Sequence, residues 1–136
     1  MTIYDVVYID MVADLFHYGH VEYIKQCKSM ARILKVGIHS DADVQSYKRL
    51  PIITMEERIS VVGACKYVDE VIPFAPLKVD KNFLTTHSIE KVIHGNDIST
   101  ENINKMYGEI IDNLILVPYT EGVSTSEIIK RIKDSL

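Results

Sequence analysis

The sequence predicts an open α/β fold, a mostly parallel, doubly wound sheet of five strands with helices on both faces. Two observations lead there. Five short runs rich in Val, Ile and Leu recur along the chain, as expected of strands buried on both faces. Longer amphipathic stretches lie between them, and parallel strands require such crossovers.

The first run is Val6-Val7-Tyr8-Ile9. After it, Tyr23, Ile24, Cys27, Met30, Ala31 and Leu34 fall at helical spacing, with Lys25, Lys28 and Arg32 opposite, which predicts a helix starting at about His20. Ile33 to Ile38 is the second strand. Thr54-Met-Glu-Glu57 has the capping-box form, a hydroxyl followed three residues later by Glu, and opens the next helix. Glu70 to Ile72 follows as a strand, Asp80 to His87 as a weaker helix and Lys91 to Ile93 as the fourth strand. Ser99 to Asp112 is polar and reads as part helix, part loop. Leu114 to Val117 closes the sheet, and a second capping box, Ser124-Thr-Ser-Glu127, starts the last helix.

A length of 136 residues suits one domain, taken as 1–136. No apolar run approaches the roughly 20 residues that cross a bilayer. The net charge of −4 argues against a broad nucleic-acid footprint, whereas a small anionic ligand needs only a local cluster. Cys27 and Cys65 lack C-x-x-C spacing and are read as reduced core residues. The first ten residues carry Asp5 and Asp10 and no basic n-region, so the expected location is cytoplasmic.

Ligands of doubly wound sheets sit beyond the carboxyl ends of the strands. There the first strand runs into Asp10-Met11-Val12-Ala13-Asp14-Leu-Phe-His17-Tyr-Gly19-His20. His17 and His20 lie three apart across a helix start, so both rings can face one site beside unpaired N–H groups, while Gly19 allows close backbone approach. That is a phosphate cradle. Ser124, Thr125 and a second helix start offer further donors to a polyphosphate, and the turn His94-Gly95-Asn96-Asp97 offers carbonyls to a nucleobase amine. Each also has a plainer reading, as a helix cap or a turn.

His17-Tyr-Gly19-His20 after a strand resembles the HxGH signature of nucleotidyltransferases with a Rossmann-like fold. Thr120-Glu-Gly122-Val-Ser124-Thr125-Ser-Glu-Ile128 resembles the R-T-E-G-[IV]-S-T-[TS]-x-I segment of cytidylyltransferases acting on glycerol phosphate, phosphocholine and phosphoethanolamine. Gly37-Ile-His-Ser40-Asp41, Tyr47-Lys48-Arg49, Glu56-Glu57-Arg58 and Lys66-Tyr-Val-Asp69-Glu-Val71 are similar to the same enzymes, especially those for phosphoethanolamine. The likeness runs from Tyr4 to about Ile132.

The resemblance implies transfer of CMP from CTP to a phosphorylated small molecule, with release of pyrophosphate. It implies catalytic roles for His17, His20 and Lys48, and nucleotide contacts from Asp10 through Asp14, Gly19, His94 to Asp97, Tyr119, Thr120, Gly122, Ser124 and Thr125. Asp41 and Arg58 would meet phosphate or substrate. Mg²⁺ would be held mainly by the triphosphate, with Asp14 as a protein contributor, and the segment Lys66 to Val71 would lie near a homodimer interface. Three positions depart from the family pattern: Met11 replaces glycine, Ala13 an aromatic residue and Tyr119 an arginine, a permanently charged planar donor.

Two other readings stay open. One is an adenylyltransferase using ATP, although the proline such loops usually carry before the histidines is absent. The other is a nucleotide-binding regulatory domain, for which the three departures speak. A cationic acceptor would want acidic or aromatic neighbours, with Phe16, Tyr18 and Tyr47 as aromatic candidates.

Overall fold

Five strands, β1 (Tyr4–Met11), β2 (Ala31–Ile38), β3 (Glu70–Ile72), β4 (Lys91–Gly95) and β5 (Leu114–Val117), form one sheet in the order β3-β2-β1-β4-β5. Every pairing is parallel. The computed structural model describes residues 2–118 and 124–136. The chain steps outward from β1 through β2 to β3, then returns to add β4 and β5 on the other side. The order therefore reverses between β1 and β4, where such sheets open a crevice.

The helices are α1 (Tyr18–Lys28), α2 (Asp41–Gln45), α3 (Met55–Gly63), α4 (Lys81–Thr86), α5 (Thr100–Tyr107) and α6 (Thr125–Ser135). Side chains cap them as the sequence suggests: the Thr54 hydroxyl accepts from the Glu57 N–H and that of Ser124 from the Glu127 N–H. The ambiguous stretch resolves into α5, capped by Ser99, and a 3-10 turn over Gly108–Asn113. α2 was not anticipated, being five residues long and marked only by its Ser40 cap.

One boundary moves. The helical pattern drawn through Leu34 ends at Lys28, because Ala31 pairs with Tyr4 and Leu34 with Val7 in the β1–β2 ladder. Apolar residues that would line a helix also suit a strand covered on both sides.

Alternation along β1 feeds two cores. Val7 and Ile9 pack with Ile24, Cys27, Leu34, Val36, Ile38 and Val62 on one face. Val6 and Tyr8 pack with Ile72, Val79, Leu84, Val92, Tyr107 and Ile110 on the other. Both cysteines are free thiols, and burial pushes Cys27 up to about 12. Gly37 is where a side chain has no room: the Tyr8 hydroxyl already occupies the place its Cβ would take, with Ala75 Cβ 2.7 Å from that place.

Candidate active site

β1 delivers the chain to the switch point, and His17 turns it into α1. His17 is the N-cap, and the two histidines form a reciprocal capping box. The Gly19 N–H donates to His17 Nδ1 at 3.0 Å, and the His17 N–H donates to His20 Nδ1 at 3.1 Å. A nitrogen that accepts carries no proton, so each neutral ring holds its hydrogen on Nε2. The cap therefore sets both tautomers. The ring centroids lie 3.9 Å apart, and Phe16 stacks on His20 at 5.4 Å.

Burial, then the neighbouring His17, brings His20 down to about 4, with Lys48 adding to the effect and Asp14 opposing it. Burial also lowers His17. Two neutral N–H donors at neutral pH result. His17 Nε2 lies 3.4 Å from Thr125 Oγ1, whose own hydroxyl donates to the Asp14 carbonyl at 3.2 Å.

A cavity of about 280 Å³ opens here, lined by Asp10, Met11, His17, Gly19, His20, Tyr23, His94, Gly95, Asp97, Ser124 and Thr125. A second, of about 430 Å³, shares His20 and Thr125 and is otherwise lined by Val12, Ala13, Asp14, Val44, Lys48, Arg49, Pro51 and Ser126. The histidine pair thus stands between an apolar-walled cavity and a basic one. Burial, then repulsion from Arg49, lowers Lys48, while Asp14 opposes this. Its Nζ lies 5.7 Å from the Tyr47 ring centre.

Most expected site residues meet around these cavities, and three are engaged inside the protein, Asp14 while also lining the second cavity. Arg58, expected on a phosphate, is 1% exposed and spends its guanidinium inside the protein. It donates to the carbonyls of Ile53 (3.1 Å), Val12 (2.6 Å) and His39 (3.0 Å) and to the Asp41 carboxylate (2.6 Å). Asp41 is thereby committed to Arg58, and neither residue lines either of these two cavities. Asp14, expected to help with Mg²⁺, instead ties down the 49–53 segment: its carboxylate accepts from the Ile52 and Ile53 N–H groups, both at 2.9 Å, and from Arg49 at 3.0 Å. Burial alone would raise Asp14, yet these bonds hold it below the usual carboxylate range. No group of three His, Cys, Asp or Glu suited to a metal occurs among the described residues.

Ala13 and Leu15 flank Asp14 with φ of 58° and 49°, a left-handed conformation that the Asp14 ties help to hold. The Asn96 N–H donates to the Val117 carbonyl at 2.7 Å, and Asn96 lines neither cavity. Tyr119, Thr120 and Gly122 lie outside the described residues.

Sequence reasoning gave no site role to Tyr23, Tyr107 or Arg49. The Tyr23 hydroxyl donates to the Ile93 carbonyl at 3.2 Å, and that of Tyr107 to Asp10 Oδ1 at 2.8 Å. The available signal was Asp10 itself, a carboxylate at the end of an apolar strand, which implies a buried polar partner. Tyr18 is 66% exposed, whereas Tyr47 is near enough to Asp10 for the carboxylate, after burial, to raise its phenol.

Residues 11–131 match the family model described as cytidylyltransferase-like. The chain belongs to the cytidylyltransferase-like family. It is 39% identical over 132 residues to a probable ethanolamine-phosphate cytidylyltransferase of Schizosaccharomyces pombe, covering 95% of this chain and 36% of that protein. It is 36% identical to the mouse ethanolamine-phosphate cytidylyltransferase (93% of this chain, 32% of that one) and 39% identical to mouse choline-phosphate cytidylyltransferase A (93% and 36%). The chain spans about a third of the length of these curated relatives. A lipopolysaccharide core biosynthesis protein of Thermoplasma volcanium shares the fold, with a TM-score of 0.69 at 18% identity over 87% of this chain and 98% of that one. Among the described residues, no helix is long and apolar enough to cross a membrane.

Proposed function

We propose that this chain transfers CMP from CTP to a phosphorylated amino alcohol, releasing pyrophosphate. The observation that carries the reading is the histidine pair: two neutral rings with Nε2–H donors fixed by the helix cap, between an apolar-walled and a basic cavity. A phosphoryl-type transfer asks for alignment and for donors where charge develops, not for a strong base.

An oxygen of the acceptor phosphate attacks the α-phosphorus in line. The new P–O bond forms as the bond to the bridging oxygen breaks, and pyrophosphate leaves with that electron pair. No proton has to be removed, because the attacking phosphate oxygen is already anionic. His17 and His20 donate to oxygens gaining charge. Ser124, Thr125 and Lys48 hold the triphosphate, and Mg²⁺ enters with it as part of the substrate. The amine end of the acceptor faces Asp10, whose buried carboxylate keeps one oxygen without a hydrogen-bond partner.

In this reading the chain is cytoplasmic and forms a homodimer, for which the Lys66 to Val71 segment is the candidate contact. The test is pyrophosphate release from MgCTP or MgATP against phosphoethanolamine, phosphocholine, glycerol 3-phosphate and sugar phosphates. CTP-dependent release with an amino-alcohol phosphate is expected. Release with ATP alone, or nucleotide binding without release on any acceptor, would overturn the reading.

A further inference from the structure

Beside the histidine pair, the larger basic cavity holds a cation to which the chemistry above gives no task. Arg49 and its chain neighbour Lys48 both line it, with Ser126 and, shared with the first cavity, His20 and Thr125. The Arg49 guanidinium is tethered: Nη1 donates to the buried Asp14 carboxylate at 3.0 Å and to the Leu50 carbonyl at 3.3 Å, while 45% of the side chain stays exposed. Both bonds leave from one nitrogen, and among the described residues no hydrogen bond engages Nε or the other terminal nitrogen. A planar cation held in place with donors to spare is preorganised for phosphate. The charges do not balance without one. Asp14 already accepts from two backbone N–H groups, and Lys48 is lowered by burial and then by Arg49, with Asp14 opposing more weakly. Two side-chain cations face one carboxylate next to the amino end of α6, and the surplus suits a ligand of several negative charges.

We propose that Arg49 binds the departing pyrophosphate in the basic cavity, in addition to the histidines, Lys48 and the start of α6. This rests on the reading above that CMP is transferred from CTP. His20 and Thr125 line both cavities, so a phosphorus held by the His20 donor stands at their boundary. In-line displacement places the attacking and leaving oxygens on opposite sides of that phosphorus. The turn His94–Gly95, suited to the nucleoside, belongs to the first cavity alone, which leaves the basic one for the β and γ phosphates. CTP therefore meets Arg49 only through the phosphates that leave, and a nucleotide without them does not reach it.

The experiment titrates the full chain with inorganic pyrophosphate, CTP and CMP, each with Mg²⁺, by calorimetry, in the wild type, Arg49→Ala and Arg49→Lys. Arg49→Ala is expected to weaken pyrophosphate and CTP about 10- to 100-fold and to leave CMP within about twofold. Arg49→Lys, which keeps a charge for Asp14 but not the planar fork, should lose about three- to tenfold for pyrophosphate and serves if Arg49→Ala does not fold. In turnover, the KM for the acceptor should stay unchanged in both variants while pyrophosphate becomes a weaker product inhibitor. Unchanged pyrophosphate affinity, or an equal fall for pyrophosphate and CMP, would mean that Arg49 only braces the 49–53 segment and overturn the proposal. A rise confined to the acceptor KM puts Arg49 on the acceptor phosphate and overturns it as well. If no acceptor releases pyrophosphate, the transfer reading falls instead, and the ratio of pyrophosphate to CMP affinities in the same variants still decides on Arg49.

Discussion

Two loops meet at the carboxyl end of the sheet and use their polar residues in opposite ways. The loop from β1 into α1 turns its histidines outward, with Nδ1 of each ring bonded to backbone and both rings lining the first cavity. The segment from β2 into α3 leaves Lys48 and Arg49 on the basic cavity but turns another pair of charges inward: Arg58, in α3, makes four hydrogen bonds within the protein, and Asp41 is one of its partners. The second loop braces the first, since one Arg58 bond ends on Val12 and the Asp14 carboxylate reaches back to Ile52 and Ile53. The difference teaches that a charged residue in a ligand-binding segment need not touch the ligand, and that burial separates the two cases.

Arg58→Ala breaks that comparison most severely. It strands three carbonyls and one carboxylate, and about 3–5 kcal/mol of stability should be lost, read by denaturant unfolding. Unchanged unfolding with depressed turnover would instead put Arg58 on a phosphate. His17→Ala should show the reverse, turnover falling about 10² to 10³-fold while the protein stays folded by circular dichroism. Near-normal pyrophosphate release would remove the histidine from the chemistry.

The third effect is one of pH. His20 sits at about 4 in the folded chain against an ordinary 6.5, so the folded state resists protonation. Its contribution to stability is complete above 6.5 and is lost as pH falls toward 4, on the order of 3 kcal/mol in all. Unfolding measured across that window without ligand should show the decline, and His20→Ala should flatten it. The smallest effect belongs to Lys48→Ala, with about a tenfold rise in KM for CTP and a stability change within about 0.5 kcal/mol.

The sheet was legible because a strand covered on both sides has to be apolar throughout, and all five runs are strands. The end of α1 was not, since Ala31 and Leu34 fit a helix face as well as the ladder that claims them. The histidines were legible through their spacing. The inward roles of Arg58 and Asp14 were not, because most of their partners are backbone groups, which leave no mark in a sequence. Nor was the contact of Tyr107 with Asp10, 97 positions apart and joined only by the return of the chain through β4 and α5.

The fit of the Tyr8 hydroxyl over Gly37 binds the histories of two positions. Any side chain at 37 collides with the phenol, so a larger residue there becomes acceptable only after position 8 has shrunk. Variants that enlarge position 37 alone will tend to be lost as misfolded. The order of change is thereby set, position 8 before position 37.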